Sequence, residues 1–195
     1  MKTAVIVIFD DFTDIDVFLP WDLLNRVKNF VPDFEVKIVG TGSAHRSSTG
    51  INIETHGPIE DCSSADLVVF ASGKGTRALI KDEGFLGRVD IDPARQTICS
   101  LCTGSLILAA LGHLKGLSAT TYPTAFDVLR AYGVKVLENE SLVVQGNIAT
   151  AAECLAAVDL MSWAIEKLFG KEVNEGVLAS VLPNGQLVKH DGIDI

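Results

Sequence analysis

Two of the chain's four cysteines lie three residues apart in the stretch 97–110, TICSLCTGSLILAA, directly before an apolar run of helical character. Thiols at that spacing could form a redox pair, supply two ligands to a metal, or comprise one nucleophile and one packing residue. The flanking residues separate these readings. Small residues stand two places before and two places after Cys102, at Ser100 and Gly104. That is the frame of a nucleophile elbow: a tight strand-to-helix turn excludes bulky flanking groups and pushes the central side chain out over the sheet edge. A thiol there sits at a helix N-terminus, where unpaired amides favour the thiolate, and the Thr103 N–H can point at an oxyanion. Cys99, within the strand, reads as a small hydrophobe. A thioredoxin-type pair needs the first cysteine at the helix start, whereas here it is the second. Zinc needs two further ligands, and Cys62 and Cys154 offer no matching spacing, so no metal is assigned. A plain core thiol remains the alternative for Cys102.

The acid DDFTDID holds Asp10, Asp11, Asp14 and Asp16. Most residues of such a run are solvated, and an EF-hand is excluded by its missing glycine and glutamate. Asp16 differs in lying between Ile15 and Val17 at the expected start of a helix, where partial burial favours a proton-carrying carboxyl. It is the candidate general acid/base. Histidine would be the usual partner of a catalytic cysteine. His45 and His56 fall in polar loops, His113 at a helix end and His190 in the tail, and each reads as a surface residue. This weakens a Cys-His hydrolase and favours chemistry run by a thiolate and a carboxylate. A second loop, ASGKGT (71–76), carries Ser72, Gly73 and Gly75; its glycines allow backbone amides to approach a ligand, or it is an ordinary turn. Walker spacing is absent.

These residues need a scaffold, and the apolar pattern describes one. Buried strands are expected at 3–9, 34–40, 66–72 and 96–100, and helices at 17–27, 104–111 and 124–133, the last capped by Gly133. A short strand or hairpin is expected at 50–55, a helix opening from GKGTRALI, a hairpin turning at Gly146-Asn147, and closing helices at about 154–169 and 171–181. Continuous apolar strands alternating with helices predict a three-layer α/β sandwich, with a mostly parallel sheet covered on both faces. Ligands in such folds sit beyond the C-terminal strand ends. That rule selects the loops after Phe9, Ala71 and Ser100.

The 195 residues suit one domain, 1–195, and 48% are apolar, enough for a sizeable core. A formal net charge of −9 without a Lys/Arg run argues against nucleic acid and anionic membrane as partners and towards a small-molecule substrate. The opening MKTAVIVIF is too short for a signal peptide and runs into two aspartates, and no stretch is long enough to span a membrane. Cytoplasmic localisation with reduced thiols is expected.

SLCTGSLILAALGHLKG, ASGKGT, ATTYPTAFDVL and TDIDVFLPWDLL together resemble the ThiJ/PfpI superfamily over nearly the whole length, the single-domain relatives of class I glutamine amidotransferases. Within it the chain is most similar to isocyanide hydratases, through Asp16 and Cys102-Thr103-Gly104. The resemblance implies a flavodoxin-like fold, a homodimer, no cofactor, and hydration of R–N≡C to an N-substituted formamide through a Cys102 thioimidate. Asp16 would be the general acid/base, Thr103 would orient the pair, and Gly73 N–H would join it in stabilising charge. The sequence departs from relatives at Thr103, where family peptidases have histidine, at Tyr122, near a histidine of many relatives, and at Ala71-Ser72, which replaces Pro-Gly. Ala151, Ala152 and Glu153 are expected to shape the pocket. Glyoxalase or deglycase chemistry, and a non-enzymatic response to oxidation at Cys102, use the same residues.

Overall fold

A computed structural model of the chain describes residues 1–183. In chain order its elements are β1 (Thr3–Val7), α1 (Ile15–Arg26), β2 (Glu35–Gly40), β3 (Ala44–Arg46), β4 (Asn52–Glu54), β5 (Gly57–Pro58) and β6 (Leu67–Phe70). Then follow α2 (Thr76–Leu79), α3 (Glu83–Leu86), β7 (Thr97–Leu101), α4 (Ser105–Ala110), β8 (Ser118–Ala119) and α5 (Phe126–Ala131). The chain continues through β9 (Lys135–Val136), β10 (Leu142–Gln145), β11 (Ile148–Ala151), α6 (Ala157–Phe169) and α7 (Lys171–Ala179).

Seven strands form one sheet in the order β10-β11-β7-β6-β1-β2-β5. All pairs are parallel except β10 with β11, the hairpin expected at Gly146, whose φ of 62° supplies the turn. The middle of the sheet is built from buried segments: LVVF in β6 and TICSL in β7 are buried at every position. Side chains alternate between faces, so such runs bury apolar groups on both sides and require a helix layer on each. Helices α1, α6 and α7 pack together on one face, while α2, α4 and α5 associate on the other. Each fully buried Ile or Val on these strands contributes about 1.5–3 kcal/mol through apolar transfer.

The fold is therefore the expected three-layer α/β sandwich. Two differences are local. The hairpin near 50–55 is β3 with β4, outside the main sheet, and a two-residue edge strand, β5, joins β2 through Val39 and Gly57. So short a strand carries no readable periodicity. Helix α6 is apolar on more than one face because it packs on α1, α7, β7 and β11 within one chain. No helix among the described residues is long and apolar enough to cross a membrane.

Candidate active site

From β1 the chain moves to β2 on one side, and β6 and β7 then line up on the other. Strand order reverses at β1, and the crevice beyond the C-terminal ends at such a point is where open α/β sheets bind ligands. The register Val7 with Phe70 and Phe70 with Ser100 brings the ends of β1, β6 and β7 level. Their three outgoing turns carry Asp16, the 72–76 loop and Cys102.

Cys102 follows β7 directly with φ of 45°, a left-handed conformation that costs a non-glycine residue energy and persists only where its surroundings enforce it. Two hydroxyls do so: Ser105 Oγ and Thr121 Oγ1 donate to the Cys102 carbonyl at 3.0 and 2.9 Å. Gly104 completes the turn. A Cβ there would lie 2.6 Å from the Phe70 carbonyl oxygen and 2.8 Å from that of Ala71, so the turn closes onto β6 only without a side chain.

Asp16, in the first turn of α1, is wholly buried. Its Oδ2 accepts a hydrogen bond from the Ser72 hydroxyl. Its Oδ1 is buried without a conventional hydrogen-bond partner. An Asp16 carboxylate oxygen and the sulfurs of Cys102 and Cys154 all lie within 4.8 Å of one another, with Sγ to Sγ at 3.9 Å.

Burial raises the Cys102 thiol far above its ordinary range, and the negative, hydrogen-bond-accepting Asp16 carboxylate adds to it. Cys154 is pushed up to about 11, by burial first and then by Asp16. Both shifts favour the neutral thiols. This runs against the expectation that a helix N-terminus favours the thiolate: α4 is only six residues long, while burial and Asp16 both favour the neutral thiol.

A cavity of about 400 Å³ opens above this group, and Ser72, Gly73, Cys102, Thr103 and Tyr122 line it. Lys74, Arg77, Thr13, Thr124 and Cys154 form the rest of its wall, which holds no histidine. Not every expected role survives. Gly75 is absent from the lining, and a Cβ on it would meet the Asp10 carbonyl oxygen at 2.2 Å, so it serves packing between loops. The Gly73 N–H donates to Thr103 Oγ1 at 3.2 Å, and the same hydroxyl lies 3.2 Å from the Gly73 carbonyl. Thr103 thus ties the cysteine turn to the 72–76 loop through its side chain, and the Gly73 amide is already occupied. Ser72, expected at a ligand, lines the cavity and also donates a hydrogen bond to Asp16.

Cys154 is the residue the sequence reading missed, since nothing in its spacing ties it to Cys102. Ala152 and Glu153, its neighbours, line a separate depression of about 450 Å³ with Glu138, Glu140 and Asp159. His45 is also misplaced as a surface residue: it is buried, with Nδ1 3.2 Å from Asp10 Oδ1. His190 lies outside the described residues.

Known proteins are similar to this chain in sequence and in fold. The chain is 30% identical over 165 residues to an isonitrile hydratase from Pseudomonas putida, covering 84% of this chain and 70% of that protein. Its structure is similar to a ThiJ/PfpI family protein from Pseudomonas syringae, with a TM-score of 0.83 and 23% identity over 94% of this chain and 76% of the other. It is also similar to DJ-1beta from Drosophila melanogaster, with a TM-score of 0.79 and 21% identity over 92% and 97% of the two chains. Residues 2–167 match the sequence pattern of the DJ-1/PfpI family, and the chain belongs to that family.

Proposed function

We propose that the protein is a cysteine-dependent hydro-lyase that hydrates small isocyanides, with Cys102 as nucleophile and Asp16 as general acid/base. The observation that carries this reading is the buried Asp16 carboxylate, placed within 4.8 Å of the Cys102 sulfur at a histidine-free cavity. The similarity to an isonitrile hydratase supports the substrate class.

The steps follow from the resting protonation state. Asp16 accepts the thiol proton as sulfur attacks the terminal carbon of R–N≡C, and delivers it to that carbon, giving the thioimidate R–N=CH–S–Cys102. A buried carboxylate with a neutral thiol beside it moves this proton without a free thiolate ever standing in the pocket. Water then adds across the C=N bond, oxygen to carbon and hydrogen to nitrogen. The Thr103 N–H is the candidate donor to the oxygen of the tetrahedral species. Breaking the C–S bond returns the hydroxyl proton to sulfur by way of Asp16 and releases R–NH–CHO.

The test is conversion of a small alkyl isocyanide to the matching N-substituted formamide, followed beside methylglyoxal. Formamide production by the wild type and none by Cys102→Ala is the expected result. Turnover of methylglyoxal without turnover of isocyanide would replace this reading with a glyoxalase.

A further inference from the structure

Cys154 has no part in the hydration chemistry, yet its sulfur stands 3.9 Å from that of Cys102 and within 4.8 Å of an Asp16 carboxylate oxygen. Among the described residues these three side chains are the one cluster with metal-ligand potential. The sulfur separation is informative. Zinc binds thiolate at about 2.3 Å, and two such bonds at a tetrahedral angle set their sulfurs roughly 3.8 Å apart. The carboxylate is also set up as a ligand. One oxygen, Oδ1, is fully buried without a conventional partner, and the other is held by the Ser72 hydroxyl, the kind of outer hydrogen bond that orients metal-binding carboxylates.

We propose that Asp16, Cys102 and Cys154 form a three-ligand site for a borderline-soft divalent cation of the zinc class, with the fourth coordination position open to the cavity. The donor set selects the cation: two sulfurs and one carboxylate suit zinc or its substitutes cobalt and cadmium, while magnesium and calcium require oxygen donors throughout. Binding releases the two thiol protons to solvent, and the two charges of the cation offset the two thiolates so formed. Cys102 and Cys154 both line the same cavity, which supplies the entry path. On the reading of Cys102 as nucleophile, occupancy takes that sulfur out of reaction, so zinc is a reversible inhibitor of turnover.

The experiment titrates the reduced protein with cobalt(II) and follows thiolate-to-cobalt charge-transfer absorption. One equivalent should saturate the band, and Cys154→Ser should weaken affinity at least about tenfold. A band that survives unchanged in Cys154→Ser, or a wild type that develops none, overturns the site. The wild type alone provides a second readout that does not depend on a variant folding. Zinc should protect Cys102 and Cys154 together from alkylation, scored by mass spectrometry, and equal labelling with and without zinc overturns the proposal. Turnover of isocyanide without a cobalt band removes the metal site and leaves the hydratase reading. A one-equivalent band in a protein that turns over no isocyanide supports the site and removes the hydratase.

Discussion

The hydroxyl of Ser72 donates its hydrogen bond to the buried carboxylate of Asp16, joining the turn after β6 to the first turn of α1 across 56 residues of sequence. Ser72 is thereby a positioning residue for the proposed acid/base. Ser72→Ala leaves Oδ2 of a buried carboxylate unpaired, and a hydrogen bond to a charged group contributes about 1.5–3 kcal/mol. The expected outcome is a loss of roughly 10- to 100-fold in kcat with KM little changed, and partial recovery in Ser72→Thr. Steady-state kinetics on the isocyanide substrate checks it; a change confined to KM would place Ser72 at the ligand instead.

Asp16→Asn separates the electrostatic and chemical roles of the carboxylate. Removing its negative charge removes one of the causes that hold the Cys102 proton in place, so the thiol should ionise at lower pH than in the wild type. Turnover should nevertheless fall by roughly 10²–10⁴, the usual contribution of a positioned acid/base. Thiolate ultraviolet absorbance against pH, measured beside kcat, checks both. Faster turnover in this variant would show that the carboxylate only hinders the thiol.

Alkaline pH should destabilise the fold. Cys62 is buried, and burial pushes its thiol up to about 12, while an unfolded cysteine ionises near about 8.5. Between those values the unfolded chain has lost a proton that the folded chain keeps, so stability is full below about pH 8.5 and declines above it, by about 1.4 kcal/mol per pH unit for one such thiol. Urea denaturation at neutral pH and at about pH 10 measures the decline. Cys62→Ala should make the slope shallower by one thiol's share, and an unchanged slope would assign the loss to other groups.

Gly104→Ala tests the turn itself. The new Cβ would stand 2.6 Å from the Phe70 carbonyl oxygen and 2.8 Å from that of Ala71, both backbone atoms that cannot swing aside. Overpacking of this kind costs about 1–3 kcal/mol. Thermal unfolding should shift by roughly 2–4 °C for each kcal/mol, and turnover should drop with it as Cys102 moves. A variant with wild-type melting would show that the turn has room to spare.

Much of the scaffold was legible because its signals are local. LVVF is apolar at every position and TICSL carries only small polar groups among its apolar ones, a pattern that suits strands covered on both faces and so points to a parallel sheet between two helix layers. The small residues around Cys102 likewise report a steric rule acting within five positions. β5, with two residues, carried no such pattern, and the polar stretch around His45 gave no sign that its ring would be buried against Asp10.

The sequence by itself determined which thiol stands at the turn and which acid opens the first helix, because both are set by backbone geometry over a few residues. Only the tertiary structure decided what surrounds them. Strand order brings β7 beside β11, so that Cys154, in the turn leaving β11, arrives 3.9 Å from Cys102 across 52 residues. The same packing closes Thr103 onto Gly73 and withdraws Asp16 from water. Desolvation and charge act through space, and at Cys102 both favour the neutral thiol over the thiolate expected from a helix terminus.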